Sequence, residues 1–192
     1  MKRDNHYEAS FEAFVRALGL AVVAVDEARR SYLDSDSVKS PDFLVVGPRD
    51  ARLVVDVKGR KFPGGTPEQP RMTWQNWCEA ADVDALQRWA ARLGPDYRGV
   101  LAFVYDIRPH VDLPADTPNV FAFRDRVYLM RGVLVDDYRA AMRTRSPRWG
   151  TVHLPTAAFR ELVKPFSWFL GEVHHKGTEI TTKGTENGNQ SS

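Results

Sequence analysis

The sequence has only one cysteine, Cys78, among its 192 residues. A single cysteine excludes an internal disulfide and fits a reducing compartment. No apolar run approaches the roughly 20 residues that cross a bilayer, and the polar first ten residues lack the apolar segment of a secretory signal. The sequence therefore predicts a cytoplasmic protein with no membrane partner.

Several patterns that mark known catalytic sites are also missing. The five histidines lack the spacing of zinc ligands, and there is no Gly-rich phosphate loop or nucleophile-elbow serine. The net charge of +2 is too small to indicate a nucleic-acid partner by itself. Any indication of function must therefore come from local motifs.

The composition predicts one globular domain followed by a tail. Residues 171–192 are polar, repeat Lys-Gly-Thr-Glu and lack apolar anchors, which is typical of disorder. Residues 1–170 are long enough for a substantial core. We expect a single domain over 1–170, with a core at 6–106 and a C-terminal elaboration at 107–170.

The most informative stretch is a predicted β-hairpin. The branched apolar runs Phe43–Val46 and Leu53–Val57 flank the turn sequence Gly47–Asp50. A turn centred on its third residue places Asp42 opposite Asp56, on one face of the sheet with Cβ atoms roughly 5 Å apart. The hairpin therefore brings two carboxylates together.

Lys58 follows Asp56 by two residues and projects from the same face. Two carboxylates about 4 Å apart repel by roughly 4 kcal/mol at an effective dielectric of about 20, so a cation is needed beside them. Mg²⁺ or Mn²⁺, held by carboxylate and carbonyl oxygens, would activate water for phosphodiester hydrolysis, and the ammonium would offset the developing charge. The alternative is an exposed hairpin with an ordinary Asp56–Lys58 surface pair.

Pro41-Asp42 and Asp56-Val57-Lys58 resemble the PD and (D/E)XK motifs of the PD-(D/E)XK nuclease superfamily. The resemblance implies an α/β protein with a restriction-endonuclease-like αβββαβ core, in which helices flank a mixed central sheet. Here a C-terminal hairpin and further helices would follow the core.

The order of elements read from apolar periodicity agrees with that core. A helix at His6–Leu18 and a strand at Leu20–Val25 precede the hairpin. A helix at Ala80–Leu93, ended by Gly-Pro, and a buried strand at Val100–Tyr105 follow it. The elaboration is predicted as a hairpin and two helices, Val120–Phe123 with Val127–Met130, Asp136–Thr144, and Thr156–Leu170 interrupted at Pro165.

The resemblance also implies roles for individual residues. Asp42 and Asp56 would bind the metal, with the Val57 carbonyl as a further ligand. Glu8, on the first helix, would complete the ligand set directly or through water, although it could equally be a solvated helix charge. Lys58 would orient or help deprotonate the attacking water and stabilise the pentavalent phosphate. Gln87, on the second helix, is a candidate accessory residue.

The segment after Lys58, Gly59–Cys78, is predicted to be a long irregular insert that lines a nucleic-acid groove. Its cations would contact phosphates and its indoles would stack on bases or sugars. The alternative for the tryptophans is packing of the loop onto the core. The candidate nucleic-acid-binding residues are Arg60, Lys61, Arg71, Trp74 and Trp77. A second basic cluster, Arg139, Arg143, Arg145 and Arg148, is either phosphate-facing or a solvated helix face.

Taken together, the sequence predicts a metal-dependent nuclease that hydrolyses DNA, as an endonuclease rather than an exonuclease. RNA is the alternative substrate, and a homodimer or a partner protein is compatible with the sequence. The alternative function is a catalytically inactive nuclease-fold module that binds nucleic acid or a protein.

Overall fold

The computed structural model describes residues 5–25, 31–33, 36–66 and 68–171. The predicted disordered tail, from residue 172 onward, lies outside the described residues. The helices in the described part are α1 His6–Ala17, α2 Ala80–Leu93, α3 Val135–Ala141 and α4 Thr156–Leu162. Short 3-10 helices lie at Pro48–Asp50, Pro147–Trp149 and Phe166–Leu170.

The strands vary widely in length, and the longest two form the centre of the main sheet. In chain order they are β1 Ala21–Ala24, β2 Ser31–Leu33, β3 Asp36–Val38, β4 Phe43–Val46, β5 Arg52–Phe62, β6 Gly64–Gly65, β7 Pro70–Arg71, β8 Cys78–Glu79, β9 Tyr97–Ile107, β10 Val120–Phe123, β11 Arg126–Leu134, β12 Arg143–Ser146, β13 Thr151–His153 and β14 Lys164–Pro165.

The main sheet has the strand order β1-β4-β5-β9-β11-β10, and β14 also pairs with β11. β5 and β9 run parallel, whereas the other neighbouring pairs are antiparallel. A parallel pair needs a crossover connection, and α2 lies in that connection. The predicted order α1, β1, β4, β5, α2, β9 and the mixed sheet are confirmed.

Each face of the sheet contributes to its own apolar core because alternate side chains of β5 point to opposite sides. Val55 and Val57 belong to the cluster on the α1 side, which also contains Phe11. Val54 and Phe62 belong to the cluster on the α2 side. One face of the hairpin therefore packs against α1 and the other against α2. The side chains of even-numbered β5 residues point toward α2.

The helix boundaries near the site have local causes. The Asn5 side chain accepts a hydrogen bond from the Tyr7 backbone and caps α1, which satisfies a donor that has no partner within the helix. Glu79 and Asp82 form a capping box at the start of α2. The box fixes the first turn of α2, and with it the direction of the Asp82 side chain.

The prediction of an irregular insert over Gly59–Cys78 is wrong at both ends, because each end lies in a strand. β5 continues to Phe62 because its last residues pair with β9, as far as Phe62 with Ile107. At the other end, Cys78 pairs with Val152 of β13. Between β1 and β4, strands β2 and β3 pair with each other in antiparallel fashion.

Two predicted helices in the elaboration are shorter than expected. The chain after α3 turns into β12, which pairs with β13, instead of continuing to Thr144. The chain after α4 forms β14 on the edge of β11 before the final 3-10 turn. In both places the pairing with another strand outweighs local helical periodicity. Within the described residues, no helix is both long and apolar enough to span a bilayer.

Candidate active site

The predicted register of the hairpin is observed. Residues from Phe43 paired with Val55 to Val46 paired with Arg52 form the β4–β5 ladder. Asp42 lies one step before this ladder, and its backbone N–H donates to the Val55 carbonyl at 3.0 Å. Its carboxylate Oδ2 accepts the Val57 N–H at 2.5 Å. Asp42 therefore makes hydrogen bonds to the backbone of both Val55 and Val57, the residues that flank Asp56.

Asp56 and Lys58 project from β5 toward the first turn of α2. Lys58 Nζ lies 2.6 Å from Asp56 Oδ2 and 2.6 Å from Asp82 Oδ2. Lys39 Nζ lies 2.5 Å from Asp82 Oδ1. We call these four residues, Lys39, Asp56, Lys58 and Asp82, the lysine–aspartate network. It joins β5, α2 and the segment before β4.

The two network carboxylates have opposite pKa shifts although both are nearly inaccessible, with Asp56 4% and Asp82 2% exposed. Burial raises the pKa of Asp56 to about 6, against the opposing effect of Lys58. Burial also acts to raise the pKa of Asp82, but Lys58 and Lys39 together outweigh it and lower this pKa. The difference arises because Asp82 contacts two lysines and Asp56 contacts one.

Lys58 is held as an ammonium ion. Burial alone would lower its pKa, but the carboxylates of Asp56 and Asp82 outweigh that effect and raise it. A lysine with a raised pKa keeps its proton at neutral pH, so it acts as a fixed positive charge and as a hydrogen-bond donor.

The Oδ2 atom of Asp56 is buried, and the Lys58 ammonium lies 2.6 Å from it. Carboxylate oxygens are the ligands that hard cations such as Mg²⁺ prefer. A metal ion bound by Asp56 would therefore share this carboxylate with Lys58.

The described residues contain no group of three or more His, Cys, Asp or Glu side chains placed to hold a metal ion. Glu8, the expected third carboxylate, contacts the side-chain amide of Asn5. It lies on α1, which packs on the opposite face of β5 from the lysine–aspartate network. The donors that the hairpin brings together are Asp42, Asp56 and the backbone around Val57.

Gln87 is also directed elsewhere. Its side-chain amide donates to Asp136 at 2.6 Å, on the side of α2 that meets α3. The residue of α2 that reaches the hairpin is instead Asp82, which the sequence analysis did not identify. Its capping-box position is visible in the sequence, but its contacts with Lys39 and Lys58 depend on tertiary packing.

The predicted nucleic-acid-binding residues fall into two groups. Arg60 is half-buried, donates to the carbonyls of Gly59 at 2.6 Å and of Trp77, and so links β5 to the segment before β8. Lys61 and Arg71 are exposed and available to a ligand. Arg60 therefore has a structural role, whichever ligand the other two meet.

The two tryptophans also differ. Trp74 stacks on Phe62, with ring centroids 3.5 Å apart, and meets Tyr105 edge-on at 4.8 Å. Trp74 therefore packs the loop onto the core, which was the alternative interpretation of the tryptophans. Trp77 instead carries two guanidinium groups against its ring, those of Arg60 at 4.0 Å and Arg145 at 4.7 Å.

The basic cluster of the elaboration is divided in the same way. Arg139 pairs with Asp84 on α2. Arg143, Arg145 and Arg148 are exposed on β12 and the turn after it, where Arg148 stacks on the exposed Trp149 ring at 5.2 Å. Arg148 lies in the loop that joins β12 to β13, next to the start of α2, and Arg143 lies at the far end of β12.

Comparisons with known proteins identify the fold. No family model matches the sequence, and no curated protein does so either. Six chains of solved structures match, among them Hjc, a Holliday junction resolvase from the archaeal hyperthermophile Archaeoglobus fulgidus. That match has a TM-score of 0.50 and 11% sequence identity, and covers 87% of this chain and 94% of the resolvase chain. Together with the strand order of the main sheet, the match shows that the chain has a restriction-endonuclease-like fold.

Proposed function

We propose that this chain is a metal-dependent nuclease that hydrolyses phosphodiester bonds in DNA, as an endonuclease. The observation that carries the proposal is the hairpin register, which brings Asp42 beside Asp56 with Lys58 on the next position of the same face. The fold shared with a Holliday junction resolvase supports DNA as the substrate.

The donor set suits Mg²⁺ or Mn²⁺. Asp42, Asp56 and the Val57 carbonyl would hold the ion, and Mg²⁺ is commonly bound by one or two carboxylates with waters and substrate phosphates as the other ligands. The hairpin register supports this assignment, because it places Asp42 beside Asp56 on one face of the sheet. When bound, the ion supplies an activated water and neutralises phosphate charge.

The protein residues around this position have distinct tasks. Asp56, with a pKa of about 6, is mostly ionised at pH 7 and can accept a cation. Lys58 keeps its proton, which supports water orientation and phosphate stabilisation and disfavours the expected role in deprotonating water. Glu8 is left out of this ligand set, because α1 packs on the opposite face of β5 from Asp56 and Lys58.

A plasmid-nicking assay tests the proposal. We expect nicking with Mg²⁺, its loss in EDTA, and a fall of at least about 100-fold in Asp56→Asn, because this change removes a charge that acts in the transition state. Asp96→Asn is the matched control, since Asp96 is an exposed aspartate whose partner is Arg52. Wild-type rates in Asp56→Asn would overturn the proposal. An RNA of the same sequence tests the alternative substrate.

A second function, binding without cleavage, is favoured by other observations. The carboxylates of Asp42, Asp56 and Asp82 are nearly inaccessible, and Lys58 is engaged by two of them. The described residues also lack a three-acid metal group. DNA binding with no nicking at any Mg²⁺ or Mn²⁺ concentration would support this function over the nuclease. Cytoplasmic location and homodimer formation stay predictions.

A further inference from the structure

The insert and the elaboration together enclose a cavity of about 500 Å³. Its volume lies in the range of about 300–1,000 Å³ typical of small-ligand sites. Thirteen residues line it, and they include three arginines and a histidine but no aspartate or glutamate. The cavity is therefore suited to an anionic ligand. We call it the arginine–tryptophan cavity, after its lining residues Arg71, Arg145, Arg160, Trp74 and Trp77.

The strand pairing explains how Arg145 comes to the cavity. The β12–β13 register shifts between Thr144 and Ser146, so that Arg145 has no partner in the ladder. A bulge of this kind re-aims a side chain, and bulges are frequent beside functional sites. The Arg145 guanidinium consequently lies over the Trp77 ring.

The lining combines the groups that recognise a nucleotide. Arginine guanidinium groups bind phosphate, and indole rings stack on bases whatever their sequence. Arg71 and Arg160 are exposed, and Trp74 lines the cavity with one ring face stacked on Phe62. His153 adds an imidazole to the lining, and its side chain is half-buried.

The cavity is continuous with the candidate active site along one strand. Asp56, Lys58 and Arg60 share a face of β5, and Arg60 contacts Trp77 at the cavity wall. At about 3.3 Å per residue, Asp56 and Arg60 lie about 13 Å apart along the strand. This distance corresponds to about four nucleotides at the 3.4 Å rise of a DNA strand.

We propose that the arginine–tryptophan cavity holds one unpaired nucleotide of a DNA strand. The preferred DNA would then carry a short single-stranded segment, and a fully paired duplex would bind less tightly. The placement of the scissile bond at Asp56 and Lys58, a few nucleotides away, rests on the proposed nuclease function.

Binding measured in EDTA tests the cavity without any cleavage. Fluorescence anisotropy would compare a forked DNA that has a short unpaired arm with a blunt duplex of equal length. We expect the intact protein to bind the fork at least about tenfold more tightly, because each stacked base contributes enough for such a change. Equal binding of the two DNAs would overturn the proposal.

A cavity-filling variant supplies the matched comparison. Thr156 is exposed and lines the cavity at the start of α4, whereas its neighbour Ala157 is exposed and lies outside the lining. Thr156→Trp should reduce the fork preference to about twofold or less, and Ala157→Trp should keep it. Circular dichroism checks that both variants are folded. A folded Thr156→Trp protein with an unchanged preference would contradict the assignment.

A charge variant and the active-site variant separate the two proposals. Arg145→Gln should weaken fork binding more than duplex binding, while Arg124→Gln, at the distant β10–β11 turn, should not. Asp56→Asn should keep the fork preference, since it leaves the cavity intact. An unsubstituted protein that prefers the fork but does not nick DNA in Mg²⁺ or Mn²⁺ would overturn the nuclease proposal alone. If the protein nicks DNA but its preference for the fork is unchanged in Thr156→Trp, the cavity proposal alone would be overturned.

Discussion

Asp56 and Asp82 differ in what they contribute to stability. The lowered pKa of Asp82 means that its ion pairs stabilise the fold at neutral pH, and that this stabilisation is lost as the pH falls through its folded-state pKa. The raised pKa of Asp56 has the opposite sign. Its contribution is fully present below its ordinary pKa of 3.8 and is lost as the pH rises through about 6. At neutral pH the ionised Asp56 carboxylate therefore lowers the stability of the fold, as is common for functional groups.

This difference predicts opposite outcomes for two isosteric substitutions at pH 7. Asp82→Asn should lower the free energy of unfolding by about 3–5 kcal/mol, because it removes the carboxylate that pairs with both Lys39 and the buried Lys58. Asp56→Asn should change it by less than about 1 kcal/mol or raise it, because the Lys58–Asp82 pair remains. Urea denaturation measures both. If Asp56→Asn proved as destabilising as Asp82→Asn, Asp56 would be a structural residue.

The sequence predicts one half of this network and not the other. Asp42, Asp56 and Lys58 lie on a local hairpin, whose register follows from the turn and from alternating apolar residues. Lys39 and Asp82 are 43 residues apart in the chain and meet only after α2 has crossed over the sheet. No local periodicity connects them. A helix residue at the site could therefore be predicted only from the family resemblance, which indicated Gln87 and not Asp82.

α1 approaches the sheet closely at a single glycine. A Cβ on residue 59 would overlap the Tyr7 ring. Gly59 follows Val57 on the α1 face of β5, and Tyr7 lies in the first turn of α1 next to Glu8. The absence of a side chain at position 59 therefore allows the first turn of α1, with Glu8, to lie against the end of the hairpin.

Gly59→Ala should lower the free energy of unfolding by about 1–3 kcal/mol, the usual cost of overpacking a well-packed contact. The cause would be steric, because Gly59 is not among the glycines with positive φ. In a Tyr7→Ala background the same substitution should cost little, since the overlapping ring is gone. A double-mutant cycle by urea denaturation measures this coupling. Equal costs in the two backgrounds would show that the Tyr7 ring does not limit position 59.

The lengths of the elements were harder to predict than their order. Apolar alternation in β5 stops before Arg60 and Lys61, yet the strand continues because β9 supplies a parallel partner as far as Ile107. Thr144 and Lys164 were predicted to be helical but lie in strands, because β13 and β11 are available for pairing. Such pairings join distant segments, so the local pattern does not contain them.

The elaboration and the core share both strands and apolar clusters. β9, the last strand of the predicted core, pairs along eight residues with β11. On the other side of the molecule, Phe166 packs edge-on against Phe11 of α1, with ring centroids 4.8 Å apart. β8 and β13 also pair, next to the start of α2. The contacts that hold α1 and α2 therefore include residues from both parts.

Two truncations test whether residues 1–170 unfold as a single unit. A chain ending at Gly171 keeps every packed residue of the described part and should unfold in one transition, at the same urea concentration as the intact protein. A chain ending at Lys164 loses Phe166, Phe169 and Leu170, all of which are fully or almost fully buried around α1. Each large buried side chain contributes about 1.5–3 kcal/mol, so this loss is comparable to the whole stability of a typical domain. The shorter chain should therefore be unfolded by circular dichroism at 25 °C. A cooperative transition in the shorter chain would instead show that residues 1–164 fold without the end of the elaboration.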